Sequence, residues 1–365
     1  MEKKRVSYFD MAKGLGVVLV LVGHLQTSQI MSFSPYIIKI CGWIFSFHMP
    51  LFFIISGMLI HLKKDTEKEL SVLVKKRFKG IMVPYMWFTL FYLIAIVYLV
   101  VKSQMSFSII LDNIFYALST YGINVLWFLP CLFFAEILFL AIFQRFSSKI
   151  RVMIYVLCAI LGHFAGYLLK SHPVQEQALK HVYEFIITCI RPLSACAFIA
   201  IGYYVFALFQ EREKFHIGEF ALGIGLMLTD MLCFQFNQAV DFRTMVLNNL
   251  FLYYFCSVCG SLGLILICRN LKPVKLVTYW GVNSLVFMVV HNLQTPLFYA
   301  QKLAMYINQF LTRARGYCCY AIVITSLLCY TTIMIWLVNH VAGFIVGKPC
   351  IITDMIFKNK GRKHE

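Results

Sequence analysis

The sequence has 365 residues, of which 61% are hydrophobic and only 13% are charged, whereas an average soluble domain has about 25% charged residues. This composition excludes a soluble fold, because apolar runs recur from end to end without a polar block between them. The net charge of +17 does not indicate nucleic-acid binding. The basic residues alternate between the two sides of the membrane with the predicted loops, and they form no continuous stripe.

The apolar runs predict an all-α fold, a polytopic bundle of about ten transmembrane helices. A helix needs about 20 apolar residues to cross about 30 Å of hydrocarbon while satisfying its own backbone hydrogen bonds. We expect a single membrane-embedded domain over residues 1–365, with a short basic tail at 347–365. The predicted spans are 14–31, 40–61, 82–101, 125–143, 151–169, 184–208, 217–235, 245–267, 276–299 and 318–346.

The basic residues predict the orientation of these spans, since cytoplasmic loops are enriched in Lys and Arg. With the N-terminus inside, 24 of the 33 basic residues fall in cytoplasmic segments and eight fall outside, with Arg191 left within a span. This bias predicts that both termini are cytoplasmic. We expect a multi-pass protein of the cell membrane, which in a bacterium is the cytoplasmic membrane.

Ionisable residues within a span are costly and are therefore candidates for function. In the first span, Asp10 and Lys13 lie at the cytoplasmic mouth, and His24 follows Lys13 by eleven residues. Eleven residues make almost three turns and about 16 Å of rise, which places Lys13 and His24 on one helix face. Asp10 either orients Lys13 or caps the helix, and Gly14 and Gly16 would allow a second helix or a ligand to approach closely.

Two further histidines, His48 in the second span and His291 in the ninth, lie at a depth comparable to that of His24. The three could line one cavity, or each could simply donate to a backbone carbonyl. The spans contain no carboxylate pair, no HExxH and no GxSxG, so no metal site and no serine nucleophile are predicted. A histidine that acts as general base at neutral pH remains.

The predicted loop after the second span contains the basic segment KKRFKGIMVPY, with Lys75, Lys76, Arg77 and Lys79 ahead of Tyr85. Such a cluster can bind phosphate, and arginine offers bidentate geometry for it. It can equally be a positive-inside anchor or a contact with anionic lipid.

Taken together, these residues resemble the integral-membrane acyltransferase family 3, especially its fucose 4-O-acetylase-like branch. The family pattern of a basic residue, ten residues and then His is matched by Lys13 and His24, with Asp10 at the usual preceding acid. Similar segments occur in the family's order: FHMPLFFIISG at 47–57, KRFKGIMVPY at 76–85, LWFLPCLFF at 126–134 and GVNSLVFMVVHN at 281–292. Gly80 departs from the pattern, since many relatives have a second basic residue there.

The resemblance implies transfer of an acyl group, commonly acetyl, from cytoplasmic acyl-CoA to a hydroxyl of a cell-surface or lipid-linked carbohydrate. Acetyl-CoA would be a co-substrate, and no permanently bound cofactor is expected. His24 would be the catalytic base, assisted by Lys13 and Asp10. The residues expected to bind acyl-CoA or the acceptor, or to maintain the active structure, are Arg77, Lys76, Lys79, His48, Tyr85, Trp127 and His291.

Two alternatives stay open from the sequence. His24 either deprotonates the acceptor hydroxyl for direct attack on the thioester or first accepts the acyl group itself. The rival function is a transporter or flippase of lipid-linked sugars, which would also have about ten helices and basic inner loops. Transporters often contain an inverted repeat with broken helices in both halves, and the sequence shows no such pairing.

Overall fold

The computed structural model describes residues 6–25, 35–102, 106–171, 177–209, 215–237, 240–291, 294–308 and 315–348. Within these ranges the chain is almost entirely helical, and its only strand-like pairing is an isolated bridge between Asp241 and Val246. The α-helices are α1 Ser7–His24, α2 Pro35–Leu62, α3 Leu70–Arg77, α4 Val83–Val101, α5 Ser108–Leu118, α6 Phe128–Arg145, α7 Ser148–Ser171, α8 Gln177–Phe206, α9 Ile217–Cys233, α10 Leu250–Asn270, α11 Lys275–Val282, α12 Ser284–Val290, α13 Gln294–Asn308 and α14 Arg315–Val341.

The predicted all-α transmembrane fold is confirmed. In the described part of the chain, eight helices are long and apolar enough to cross a membrane. The count of ten spans, the single domain and the cytoplasmic position of both termini stay predictions. Residues 349–365 of the predicted basic tail, like the basic residues among 1–5, lie outside the described residues.

The first and ninth predicted spans differ from their expected form. Helix α1 begins at Ser7 and therefore includes Asp10 and Lys13 within the helix, whereas residues 26–31 of the predicted span lie outside the described residues. The ninth span was predicted as one helix over 276–299, but the structure interrupts it at Asn283, where α11 ends and α12 begins.

Two predicted loops also contain helix. The segment 62–81, which the sequence predicts to be cytoplasmic, contains α3, followed by a π-helical turn at Phe78–Met82 that leads directly into α4. The segment 102–124, which the sequence predicts to be on the outer side, contains the short apolar helix α5. π-helical turns of this kind occur frequently at functional sites.

The chain divides into two compact units, and the first comprises residues 1–48, 215–228 and 262–365. In this unit α1 packs against α11 and α12, and α14 packs against α12 and α13. The contact between α1 and α11 depends on Gly14 and Gly281: a Cβ on Gly14 would lie 2.0 Å from the carbonyl oxygen of Val277, and one on Gly281 would lie 1.6 Å from that of Asp10. The predicted close approach at Gly14 is confirmed.

The second unit comprises residues 49–214 and 229–261. Helix α8 packs against α6 and α7. It also approaches the second half of α2 closely, because a Cβ on Gly57 or on Gly202 would lie 2.0 Å from the carbonyl oxygen of Ile199 or of Ile54. Backbone approach through paired glycines is typical of packing between transmembrane helices.

Candidate active site

In the first unit, α1 carries the basic and acidic residues of the first motif one turn apart. Lys13 Nζ lies 2.8 Å from Asp10 Oδ1, and the Asp10 side chain is buried. The helix begins at Ser7, and the preceding residue Val6 makes no side-chain cap. Of the two roles considered for Asp10, the geometry therefore favours orientation of Lys13 over helix capping.

Two of the three intramembrane histidines lie against each other, and the third is one aromatic ring away. The ring centroids of His24 and His291 are 5.3 Å apart. The Phe45 ring packs edge-on against His24 at 6.2 Å and against His48 at 4.9 Å. His48 and His291 are buried. The structure thus brings His24, His48 and His291 together in the first unit, as their similar predicted depth indicated.

Backbone hydrogen bonds fix the orientation of two of these rings. His48 Nδ1 donates to the carbonyl oxygen of Ile44 at 2.8 Å, and His291 Nδ1 donates to that of Phe287 at 3.2 Å. In a neutral imidazole with Nδ1 protonated, Nε2 presents a lone pair. The His291 Nε2 atom is buried and has no hydrogen-bond partner among the described residues. It is available to a hydroxyl or to a second imidazole.

The interruption of the ninth span lies in the same unit and is held by polar contacts that the sequence prediction missed. Asn283 Nδ2 donates to the carbonyl oxygen of Tyr279 at 2.8 Å. The Oδ1 atom of Asn283 accepts hydrogen bonds from Asn339 Nδ2 at 2.9 Å and Lys348 Nζ at 2.8 Å. The signal available in the sequence was a carboxamide within an otherwise apolar segment. These contacts set the start of α12, the helix that leads to His291.

In the second unit, Arg77 is surrounded by acidic groups. Its Nη2 donates to Asp65 Oδ2 at 2.9 Å, and its Nε forms an ion pair with Glu136. Glu136 also accepts a hydrogen bond from Ser56, and Asp65 also pairs with Lys68. Because the Arg77 side chain is only 13% exposed and its charge is neutralised, the contacts favour a structural role over binding of CoA phosphates.

The charges close to Arg77 shift the pKa values of Asp65 and Lys63. Burial raises the pKa of the Asp65 carboxyl, but the hydrogen bond from Lys68 and the charge of Arg77 outweigh it, so the pKa lies below its ordinary value. Burial, together with the positive charges of Arg77 and Lys76, lowers the pKa of Lys63. The Asp65 carboxyl is therefore a charged component of this network near neutral pH.

The exposed part of the basic segment consists of lysines. Lys76 and Lys79 are exposed, and they belong to α3 and to the π-helical turn that follows it. Their ammonium groups are therefore accessible to an anionic ligand, in contrast to the enclosed guanidinium of Arg77.

The aromatic residues of the predicted site pack within the second unit. The Tyr85 hydroxyl donates to the carbonyl oxygen of Ala117 at 2.9 Å and so joins α4 to α5. Trp127 is buried, and its ring stacks on Phe242 with centroids 6.0 Å apart. Among the described residues, no three His, Cys, Asp or Glu side chains converge to hold a metal ion.

Comparison with known proteins supplies the family. A family model described as an acyltransferase domain matches residues 6–340. The chain belongs to acyltransferase family 3. The resemblance seen in the motifs is thereby confirmed, and the protein is a multi-pass membrane protein of this family.

Comparison with a curated relative covers about half of the chain, and comparison with solved structures finds no match. The chain is similar to Nodulation protein NolL from Mesorhizobium japonicum, with 32% identity over 187 residues, or 48% of this chain and 45% of the relative. It therefore spans about half the length of the curated relative that it matches. No solved structure matches the chain.

Proposed function

We propose that the protein is a membrane-bound O-acyltransferase of the cell membrane. It transfers an acetyl group from cytoplasmic acetyl-CoA to a hydroxyl of a cell-surface or lipid-linked carbohydrate. The observation that carries this proposal is the contact of His291 with His24, which lies on α1, the helix that also bears the Asp10–Lys13 pair. Family membership supports acyl transfer as the reaction.

The reaction requires one base and one site for the donor's phosphates. His24 takes the proton of the acceptor hydroxyl, the hydroxyl oxygen attacks the thioester carbonyl carbon, and the carbon–sulfur bond breaks. The products are the acetyl ester and CoA, whose thiolate receives the proton from His24. His291 Nε2 is available to accept a hydrogen bond within this site, because it has no hydrogen-bond partner among the described residues.

The cytoplasmic mouth supplies positive charge for CoA. Lys13 lies about 16 Å from His24 along α1, a distance that a pantetheine arm has to cover between the CoA phosphates and the thioester. Lys76 and Lys79 belong to the second unit and are exposed, and their part in phosphate binding is proposed from the sequence alone. In this proposal Arg77 maintains the structure beside them, since its own charge is paired.

The test uses membranes that contain the full chain and their native glycans. Acetyl-CoA labelled on the acetyl group is added on the cytoplasmic side, and both free CoA and labelled glycan are measured. We expect His24→Ala to abolish both products, because the base is lost. His340→Ala is the matched control, since His340 is exposed on α14 and should keep wild-type activity.

Two outcomes contradict the proposal. Equal activity of wild type and a correctly inserted His24→Ala variant would remove His24 from the mechanism. An absence of CoA release by wild type with any glycan fraction would instead favour the transporter.

A further inference from the structure

Two arginines of the second unit converge on one tyrosine. The Arg191 guanidinium lies 4.9 Å from the centroid of the Tyr121 ring and 5.3 Å from that of Trp127. The Arg243 guanidinium lies 5.7 Å from the same Tyr121 centroid. Arg191 belongs to α8 and is only 1% exposed, so two positive charges share a mostly desolvated aromatic surface.

The buried guanidinium is incompletely satisfied. Arg191 Nη2 donates to the carbonyl oxygen of Tyr121 at 3.1 Å and to Thr188 Oγ1 at 3.2 Å. Its Nε and Nη1 atoms are buried and have no acceptor among the described residues, and the same is true of Arg243 Nε. A buried donor without an acceptor destabilises the protein, and more so when the group is charged.

The neighbouring carboxylates are engaged elsewhere. Asp241 accepts hydrogen bonds from the backbone N–H of Arg243 and from the Thr244 hydroxyl. Glu184 accepts one from the Tyr116 hydroxyl at 3.1 Å. In the described part of the chain, neither Arg191 nor Arg243 forms an ion pair with a carboxylate, so an external anion would supply the acceptors that these donors lack.

The predicted spans place this cluster toward the outer side of the membrane, where a cell-surface acceptor is expected. Tyr121 falls in the predicted outer loop 102–124, and Arg243 follows the seventh predicted span, in an outer loop. Arg191 lies about 10 Å below the outer end of its predicted span. Guanidinium groups match phosphate and carboxylate geometry through paired N–H donors.

We propose that Arg191 and Arg243 bind an anionic group, a phosphate or carboxylate, of the acyl acceptor. This inference rests on the proposed function, since it identifies the class of acceptor as an acidic sugar or a phosphate-linked glycan. Arg191 forms the buried base of the site, and Arg243 is its half-buried outer contact. Neutral glycans would lack the group that satisfies these donors.

The test is a binding measurement that needs neither acetyl-CoA nor turnover. Purified full-length protein in phosphatidylcholine nanodiscs is titrated by calorimetry with glucuronate, inorganic pyrophosphate and glucose. We expect one or both anions to bind and glucose not to bind. Arg243→Gln should weaken the anion's binding by about tenfold or more, the equivalent of one charge-assisted hydrogen bond. Arg191→Gln should do the same if it folds.

Matched controls place the binding at this cluster. Arg151→Gln removes another arginine that lies over an aromatic ring, Phe143 at 3.9 Å, and should leave the affinity unchanged. A Lys149→Gln variant removes an exposed lysine of α7 that belongs to neither proposed site, and it should also bind the anion normally. Equal affinity in wild type and Arg243→Gln, or no binding of either anion by wild type, would overturn the proposal.

A last arm separates the acceptor from the bilayer as the source of the anion. The titration is repeated in nanodiscs that contain phosphatidylglycerol. Unchanged affinity supports an acceptor site, whereas loss of binding would assign the site to lipid phosphate and overturn the inference. Because no acyl transfer is measured, a failure here leaves the His24 experiment intact, and a failure of that experiment leaves this one interpretable.

Discussion

Replacement of Arg77 by Met should destabilise the protein more than it weakens acetyl-CoA binding. Arg77 pairs with Asp65 and Glu136, whose side chains are buried. Removal of one partner from a buried ion pair costs about 3–5 kcal/mol, because the other charge remains without compensation. Asp65 keeps Lys68 and Glu136 keeps Ser56, so we expect the lower end, about 3 kcal/mol.

The assay is reversible unfolding of the detergent-solubilised protein, with the KM for acetyl-CoA measured on the folded fraction. Arg77→Met should lower the unfolding free energy by the amount given above and change KM little. Lys76→Met removes an exposed charge from the same segment, so it should change the unfolding free energy little and raise the KM for acetyl-CoA. A second change, Glu136→Gln, should return part of the stability lost in Arg77→Met, since coupled residues deviate from additivity.

The opposite pattern would refute this reasoning. If Arg77→Met unfolds like wild type while its KM for acetyl-CoA rises strongly, the guanidinium binds the CoA phosphates. Its ion pairs with Asp65 and Glu136 would then contribute little to stability.

Three further predictions follow from the packing and charges. Gly281→Ala should lower the unfolding free energy by about 1–3 kcal/mol, because its Cβ would meet the Asp10 carbonyl oxygen at 1.6 Å. Gly225→Ala, whose Cβ meets no described atom within 4 Å, should be neutral or raise it by up to about 1 kcal/mol; equal effects of the two would contradict the packing. Lys348→Met should lower the unfolding free energy by about 1–2 kcal/mol and reduce CoA release, because Lys348 donates to Asn283 at the helix interruption that precedes His291. Unchanged CoA release would show that the interruption does not support the site. The unfolding free energy should fall as the pH drops below about 4, because the pKa of Asp65 is lower in the folded state than in the unfolded state. The ionised Asp65 contributes its full stabilisation above its unfolded pKa of about 3.9, and this stabilisation is lost as the pH falls through the folded pKa. Asp65→Asn should flatten this pH dependence, and an equal acid slope in that variant would exclude Asp65 as the cause.

Apolar run length predicted most of the helices, because a membrane leaves few alternatives for a backbone. It did not predict the interruption at Asn283, whose partners Asn339 and Lys348 are 56 and 65 positions away. Contacts between residues so far apart in the chain cannot be predicted from the local sequence around Asn283. The short helix α5 was missed for another reason: its 11 residues fall below the length that marks a membrane span.

The role of Arg77 shows a different limit of sequence reasoning. The basic segment left a phosphate site and a positive-inside or lipid contact open, and the family resemblance added the CoA phosphates as a ligand of Arg77. The structure supplies the counter-charge of Arg77 from within the chain, through Asp65 before it and Glu136 after it. For Lys76 and Lys79, which are exposed, the same interpretation stays a prediction.

The histidines were more predictable, since helix rise converts residue number into depth. Depth alone left open whether they face each other or bind backbone carbonyls. The structure shows both features: His48 and His291 donate through Nδ1 to their own helices, and His291 still lies against His24. Their Nε2 atoms thus present lone pairs, so in the proposed reaction a protonated His24 would have a neutral acceptor beside it. Such an acceptor stabilises the imidazolium without adding a negative charge that would hold the proton back from the CoA thiolate.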